Sequence, residues 1–341
     1  MRNFKKALIG TLAVLLCFAV LVGIAVYPYF AYETFYYQDA SGREALAGQL
    51  DLLISGASQG LCSIIPKTLD ETLGCTSYNL CGALETMEQR YLLLKQEVER
   101  NPVSTVILDL SYNAMTRTRN DNAQELEILQ FGRLETASQR LSYIFTEVQP
   151  KHYFTFLYDT VWRGVSVWKQ LLKGTLQTSP KLESHGFYPY ANATPMPDKE
   201  TYQYHRSEGC IRTEPTEENL YYLEQILTLC KSKNIEVIFL ATPMSEYYLW
   251  REDDLDIMRQ WYQDTSDKWG CTFYDFNLLK AKLERYPEAT AYTDEIHMSK
   301  AGAVAFSEDL AMVLSMAQKG EDTSSLFYST YDEAIHARFG S

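Results

Sequence analysis

Three residues have the types and spacing of a hydrolytic site: a serine, a histidine and an aspartate. Ser58 lies in "LLISGASQG", directly after an apolar run that is typical of a strand. Asp294 and His297 share the short stretch "YTDEIHMSKAG", just before a helical pattern. A serine hydroxyl is a weak nucleophile until a base takes its proton, and that base is usually a histidine oriented by a carboxylate. The sequence therefore predicts Ser58 as the nucleophile, His297 as the general base and Asp294 as the group that holds its imidazole.

The elements that must position these residues alternate between strands and helices. Apolar segments predict five strands, at residues 49–54, 76–80, 104–110, 236–242 and 271–274. Helical patterns separate or follow them, at residues 84–100, 217–233, 254–269 and 299–316. This alternation predicts an α/β fold, in which helices cover both faces of a parallel sheet. In such sheets the site lies beyond the carboxyl ends of the strands, where Ser58, Gly82 and Asn113 fall.

On these motifs the chain resembles the SGNH (GDSL-like) hydrolases, in a membrane-anchored branch similar to proteins that acylate bacterial surface polymers. The resemblance runs over residues 49–316 and is poor over 116–215. Gly56-Ala57-Ser58 falls on the family's G-D-S turn, and "YTDEIHMSKAGAVAFSEDLA" falls on its final D-x-x-H block and helix. The resemblance implies a flavodoxin-like, three-layer α/β/α fold with about five parallel strands.

The resemblance also implies an oxyanion hole, made of the backbone N–H groups of Ser58 and Gly82 and the side-chain amide of Asn113. Gly82 follows the second strand, and Asn113 lies in "VILDLSYNA", which matches the family's third-strand block. The departures from the family pattern are Ala57 for Asp, Ser111 for Gly and Ala114 for Asp. None of them touches the predicted triad.

Other interpretations of the same residues exist. The G-x-S-x-G spacing of Gly56 to Gly60 matches the nucleophile elbow of the α/β-hydrolases, which carry Asp and His on separate loops. Here Asp294 and His297 share one loop, and this favours the SGNH interpretation. Taken singly, Ser58 could be a turn residue, Asp294 a loop acid or a cap of the following helix, and His297 a polar residue with a purely structural hydrogen bond. Their joint order favours a catalytic site.

The N-terminus predicts a single membrane-spanning helix. Residues 1–6, "MRNFKK", are basic, and residues 7–29 follow without a charge. At about 1.5 Å per residue this run spans the roughly 30 Å hydrocarbon core. The charge asymmetry predicts a cytoplasmic N-terminus, a juxtamembrane linker over 30–48, an extracytoplasmic domain over 49–318 and a tail over 319–341. A cleaved signal peptide is the alternative, although the apolar run is long for one.

The remaining features limit which cofactors and partners we expect. No C-x-x-C or H-E-x-x-H spacing occurs, so we expect neither a metal nor another cofactor. The net charge of −13 argues against a nucleic-acid partner. Six cysteines outside the apolar run permit disulfides without requiring them. Residues 116–215 form a predicted insertion, with helices at 123–148 and 152–172 and an irregular segment that could be a lid or a substrate wall.

Together these features predict a membrane-anchored serine esterase or O-acyltransferase. The resemblance implies acyl esters, acetyl above all, of cell-wall or secreted polysaccharide as substrates, and an integral-membrane acyltransferase as a possible partner. One alternative is a non-catalytic module that binds a surface polymer or an acyltransferase. Another is an esterase directed at lipids.

Overall fold

The computed structural model describes residues 2–31, 35–111, 114–116, 131–134, 137–146, 148–176, 182–190, 192–197, 209–210 and 214–340. The chain divides into two compact units. The helical unit is Met1–Ser41 with Asn122–Lys181, and the sheet unit is Gly42–Asp121 with Leu182–Ser341.

The sheet unit is built on a parallel sheet. The described strands are β1 Leu52–Ser55, β2 Ser77–Asn79, β3 Thr105–Asp109, β4 Gly209–Cys210, β5 Glu236–Ala241, β6 Glu252–Asp253 and β7 Thr272–Asp275. Five of them form one sheet in the order β2-β1-β3-β5-β7, and every pairing in it is parallel. The two-residue strands β4 and β6 pair separately. The predicted α/β fold with five parallel strands is confirmed.

The helices alternate with these strands along the sheet unit. The described α-helices are α1 Arg2–Ala31, α2 Phe35–Ala45, α3 Ser58–Ser63, α4 Pro66–Leu73, α5 Met87–Arg100, α6 Ala137–Thr146, α7 Tyr153–Lys173, α8 Glu217–Ser232, α9 Glu246–Arg251, α10 Leu255–Trp269, α11 Lys282–Arg285, α12 Lys300–Gln318 and α13 Tyr331–Phe339. Short 3₁₀ turns occur at Pro150–His152, Ser184–Gly186, Phe276–Leu278 and Ser324–Leu326.

Both faces of the sheet are buried, which makes the architecture three-layered. Leu53, Val106 and Phe239 pack in one apolar cluster with side chains of α5, α8 and α10. Successive strand residues point to opposite faces, and the intervening Ile54 and Ile107 are also fully buried. On that second side α12 packs with α3 and α4. A parallel sheet buried on both faces accounts for strands that are apolar throughout rather than alternating.

The sheet unit extends further at both ends than the predicted domain of residues 49–318. It begins at Gly42, and Arg43, inside the predicted linker, is fully buried. The predicted tail carries α13, where the Tyr331 hydroxyl donates to Asp275 Oδ2 at 2.9 Å. Tyr331 and Ala334 also pack in the apolar core, so the predicted tail is held by both polar and apolar contacts.

The predicted insertion of residues 116–215 is divided between the two units. Residues 122–181 belong to the helical unit and residues from Leu182 onward belong to the sheet unit. Helix α7 matches the helix predicted at 152–172, and α6 covers the described end of the helix predicted at 123–148. Residues 123–130 of that prediction lie outside the described residues.

A buried ion-pair network fixes the entry of the chain into β1. Arg43 Nη1 lies 2.7 Å from Glu97 Oε1, and both side chains are fully buried. The other Glu97 oxygen accepts from Arg100 Nε at 2.8 Å and from Asn101 Nδ2 at 3.1 Å. Asn101 Oδ1 in turn accepts from the Gly48 N–H at 2.7 Å. The network therefore ties the end of α5 to the segment that leads into the first strand.

Replacing Glu97 by Gln should lower the free energy of unfolding by about 3 kcal/mol, because it removes the charge that compensates the buried Arg43 guanidinium. Glu44→Gln is the matched control, since its 3.3 Å pair with Arg100 is exposed, and we expect a loss below about 0.5 kcal/mol. Denaturant unfolding in detergent measures both values. Equal losses in the two variants would contradict the role of the buried network.

Candidate active site

The turn that carries Ser58, Gly56 to Gly60, packs closely against Asp109 and Cys81 of the neighbouring segments. β1 ends at Ser55, and Ser58 is the first residue of α3, at the carboxyl end of the strand. A Cβ on Gly56 would lie 2.6 Å from Asp109 Cβ, and a Cβ on Gly60 would lie 2.7 Å from Cys81 Sγ. Both glycines of the G-x-S-x-G stretch are therefore required by packing.

A buried carboxylate holds this turn from below. Asp109, the last residue of β3, is fully buried. Its Oδ2 accepts from the Gly60 N–H at 3.1 Å, and its Oδ1 accepts from the Thr242 hydroxyl. Burial raises the pKa of Asp109, although the hydrogen bond from Thr242 and the nearby Arg90 guanidinium act in the opposite direction. Arg90 Nη1 also donates to the Asp109 carbonyl oxygen at 2.6 Å.

The loop before α12 is held rigidly by its own main chain. Tyr292 and Met298 form an isolated antiparallel bridge, and the Thr293 N–H donates to the His297 carbonyl oxygen at 2.9 Å. Ser299 caps α12, since its hydroxyl accepts from the Gly302 N–H at 3.2 Å. These bonds fix the path of the loop on either side of the predicted histidine.

The three predicted triad residues lie in hydrogen-bond contact. His297 Nε2 lies 2.8 Å from Ser58 Oγ. His297 Nδ1 lies 2.8 Å from Asp294 Oδ2 and 3.0 Å from Oδ1. With its hydrogen on Nδ1, the imidazole donates to the carboxylate and accepts from the serine hydroxyl. This is the arrangement that lets a histidine take a serine proton.

Asp294 is arranged to stay ionised beside the imidazole. Its Oδ1 accepts from the N–H groups of Ile296 and His297, each at 2.9 Å. Partial burial alone would raise the pKa of Asp294, but the hydrogen bonds from Ile296 and His297 outweigh it and lower the pKa. A carboxylate that remains charged favours the positive imidazolium that forms during proton transfer.

Ser58 and His297 open into a small cavity of about 120 Å³. Other walls of the cavity come from Leu84, Arg90, Met244 and Tyr248. An apolar cavity of about 150 Å³ holds one benzene molecule, so this space fits a group no larger than a short acyl chain.

The structure describes two of the three predicted oxyanion-hole donors, the N–H groups of Ser58 and Gly82. Among the described residues, no acceptor is found for the Ser58 N–H, and Ser58 lines the cavity. The Gly82 prediction is contradicted, because the Gly82 N–H donates to the Gly56 carbonyl oxygen at 3.2 Å and Gly82 does not line the cavity. Asn113 lies outside the described residues. Gln59, which the sequence interpretation missed, lines the cavity as the second residue of α3.

Tyr190 adds an aromatic wall beside the histidine. Its ring centroid lies 5.8 Å from that of His297, and its side chain is exposed. The Tyr190 carbonyl accepts from the Lys300 N–H at 2.7 Å, which fixes the segment against the start of α12. The "GFYPY" segment thus reaches the site, whereas "YQYH" lies outside the described residues.

The described residues also include cysteines, histidines and carboxylates, which are the groups that bind metals or act as thiol nucleophiles. No group of three or more His, Cys, Asp or Glu residues in them could hold a metal ion. Six cysteines in the described part are free thiols, namely Cys17, Cys62, Cys75, Cys81, Cys230 and Cys271. Burial raises the pKa of Cys62, the thiol nearest Ser58 along the chain, to about 12, so it is not a competing nucleophile at neutral pH.

Comparison with known proteins shows a likeness to solved structures. No protein-family model matches the chain, and no curated protein matches its sequence. Among solved structures, the chain is similar to a GDSL-like lipase from Bacteroides thetaiotaomicron VPI-5482, with 10% sequence identity and a TM-score of 0.36. The match covers 85% of this chain and 98% of that one. The geometry of Ser58, His297 and Asp294, rather than this distant likeness, is therefore what bears on function.

Asp109→Asn should keep the site folded, and Asp109→Ala should not. The amide can still accept from Gly60 and can donate to Thr242, whereas alanine leaves both buried groups without a partner, at about 1–3 kcal/mol each. Thermal unfolding of the two variants measures the difference. Equal destabilisation would show that the hydrogen bonds of Asp109 do not hold the turn.

The pH dependence of stability, compared between the wild type and Asp109→Asn, tests the raised pKa of the buried Asp109 carboxyl. Burial raises the pKa of Asp109 in the folded state, so the unfolded chain, with a pKa of about 3.9, loses its proton first. Wild-type stability therefore falls as pH rises from about 4 through the folded pKa, relative to Asp109→Asn. If the unfolding midpoint of the wild type rose relative to that of Asp109→Asn over this pH range, the raised pKa of Asp109 would be contradicted.

Proposed function

We propose that the protein is a serine esterase or O-acyltransferase of the SGNH (GDSL-like) type. The observation that carries this proposal is the position of His297, whose Nε2 lies 2.8 Å from Ser58 Oγ and whose Nδ1 lies 2.8 Å from Asp294 Oδ2. Such an arrangement activates a hydroxyl nucleophile. The fold supports the proposal because Ser58 follows a strand at its carboxyl end, where sites of parallel sheets lie.

The chemistry proceeds through an acyl-enzyme. Ser58 Oγ attacks the ester carbonyl while His297 Nε2 takes its proton. The bond to the alcohol then breaks, and His297 returns the proton to the leaving oxygen. Water or a sugar hydroxyl next attacks the acyl group, and His297 again moves the proton from attacking oxygen to Ser58. Hydrolysis and transfer differ only in the molecule that attacks the acyl-enzyme, which is water in hydrolysis and a sugar hydroxyl in transfer.

A backbone N–H stabilises the charge that develops on the carbonyl oxygen. The Ser58 N–H has this role in the proposal, and one such donor is worth about 3 kcal/mol of the barrier. Asn113 remains a proposed second donor. Gly82 is not proposed again, because its N–H is used by the main chain.

The size of the cavity supports a short acyl group, acetyl above all. A space of about 120 Å³ beside Ser58 accommodates an acetyl group and excludes most of a long acyl chain. The exposed ring of Tyr190 offers a face on which a sugar could pack. Both features favour an acylated polysaccharide over a lipid as substrate.

The N-terminal helix supports a location at the cell membrane. Phe4–Tyr29 is long and apolar enough to cross a bilayer, and Arg2, Lys5 and Lys6 precede or begin it. The positive residues favour a cytoplasmic N-terminus, which would put the sheet unit outside the cytoplasm. There it would meet cell-wall or secreted polysaccharide, alone or with an integral-membrane acyltransferase.

A fluorophosphonate probe tests the nucleophile. The full chain in detergent should be labelled, and Ser58→Ala should lose the label completely. Ser55→Ala is the matched control, because the buried Ser55 hydroxyl has no hydrogen-bond partner among the described residues and lies outside the cavity. Asp294→Asn should label about 10⁴-fold more slowly, since the imidazole then loses its orienting charge.

The outcomes separate the rival functions. Labelling that survives in Ser58→Ala would refute the nucleophile assignment. Absence of labelling in the wild type, with the protein folded, would favour a non-catalytic module that binds a surface polymer.

Acyl-chain length tests the substrate class. We expect kcat/KM for p-nitrophenyl acetate to exceed that for p-nitrophenyl octanoate at least about tenfold, because the cavity cannot bury the longer chain. Tyr248→Ala removes one wall and should narrow this difference. A preference of the wild type for octanoate, or release of fatty acid from phospholipid, would instead support a lipid-directed esterase.

A further inference from the structure

Helix α7 of the helical unit packs against the last third of α1. Gly164 is buried there, and a Cβ on it would lie 2.0 Å from the Ala25 carbonyl oxygen. The partly or fully buried residues of α1 all lie in its last ten, while residues 4–21 are exposed. The contact point lies about 3 Å, or two residues, before Tyr27, which ends the uninterrupted apolar run.

The packing satisfies a backbone group that α1 cannot satisfy itself. Pro28 lies inside α1 and has no N–H, so the Ile24 carbonyl loses its donor four residues on. Trp168 Nε1 of α7 donates to this carbonyl oxygen at 2.8 Å. In a bilayer an unsatisfied carbonyl is costly, and a side chain from a neighbouring helix is one way to satisfy it.

The side of α7 next to this contact is uncovered and carries large apolar side chains. Phe154 is 81% exposed and Leu172 is 83% exposed. Tyr158 and Trp162 are also exposed, and they lie within about 80° of Phe154 around the helix at 3.6 residues per turn. Aromatic side chains on a helix of this kind are typical of the membrane–water interface.

The charge of this segment is opposite to that of the chain. Residues 150–173 contain four basic residues and one acidic residue, in a chain with a net charge of −13. Lys169 Nζ lies 4.9 Å from the centroid of the Trp162 ring, so positive charge flanks the apolar side. This combination matches anionic phospholipid headgroups above an acyl layer.

We propose that α7 is a second membrane-contacting element, which lies in the interfacial layer of the bilayer and binds anionic phospholipid. Trp168 and Gly164 hold it against the end of α1, and its exposed apolar side enters the acyl layer. The inference rests on the proposed anchoring by α1 and is independent of the proposed esterase chemistry.

The test uses the full chain reconstituted in vesicles of phosphatidylcholine and phosphatidylglycerol, part of the lipid being brominated near the headgroup end of its acyl chains. Bromine quenches tryptophan that contacts it. We expect quenching in the wild type and a smaller quenched fraction in Trp162→Phe, falling from about 2/5 of the five tryptophans to about 1/4 of the remaining four if Trp168 is quenched as well. Trp261→Phe, in α10 of the sheet unit, is the matched control and should not lower the quenched fraction, because it removes a tryptophan that the proposal places away from lipid. Removing phosphatidylglycerol should reduce quenching.

Flotation of the same vesicles after an alkaline wash separates the two proposals. A chain that floats, with equal quenched fractions in wild type and Trp162→Phe, would overturn the contact of α7 with lipid and leave the anchor standing. That result would make a protein partner the occupant of the apolar side. A chain that does not float would overturn the anchor and the α7 proposal together.

A double substitution tests how α7 is held. Trp168→Phe should speed trypsin cleavage at Arg163 and Lys169 severalfold in vesicles, because α7 loses its hydrogen bond to Ile24. Pro28→Ala restores the internal bond of α1, so Trp168→Phe should have little further effect in that background. Equal acceleration in both backgrounds would overturn the role of the freed carbonyl.

Discussion

The hydrogen bond between Ser58 and His297 joins two segments that are 239 residues apart in the chain. It forms because strand β1 and the loop before α12 end at the same edge of a parallel sheet. Helix α12 packs with α3, the helix that begins at Ser58, so the two helices hold the serine and the histidine at a fixed separation. A small shift of either helix would break a contact of 2.8 Å, and the surrounding structure limits such shifts.

That limit comes from tight packing under the nucleophile turn. Gly56 and Gly60 leave no room for a side chain against Asp109 and Cys81. Asp109 itself is a carboxyl buried at a cost, which its bonds to Gly60 and Thr242 offset. Stability and function are thus coupled at one place, because the group that holds the turn also sets the position of the Ser58 hydroxyl.

The helical unit follows a different physical rule. In water, an unpaired carbonyl such as that of Ile24 would bind solvent, but within a bilayer only another protein group can reach it. Proline at position 28 therefore makes α1 dependent on a neighbour, and Trp168 supplies the donor. The same helix that supplies this donor carries an exposed apolar side, so the hydrogen bond to α1 and the proposed contact with lipid belong to one element.

Sequence patterns alone were sufficient for the main elements of the fold and for the three residues that meet at the site. Apolar strands such as "STVILDL" and the spacing of Asp294 and His297 are local signals, which need no knowledge of distant contacts. The sequence likewise marks residues 7–29 as able to cross a membrane, since length and lack of charge are properties of the segment itself. The catalytic role of Ser58, His297 and Asp294 stays a prediction until the nucleophile is tested.

Only the tertiary structure decided the features that depend on partners far along the chain. The Gly82 N–H bonds to Gly56 rather than facing the cavity, because the acceptor of a backbone N–H depends on the path of the neighbouring turn. The burial of Arg43 and Tyr331, in segments predicted as linker and tail, depends on Glu97 and Asp275, with which no periodic pattern connects them. The meeting of Trp168 with Ile24 is of the same kind. Local periodicity reports which face of an element is apolar, whereas the pairing of polar groups is settled only when distant elements pack together.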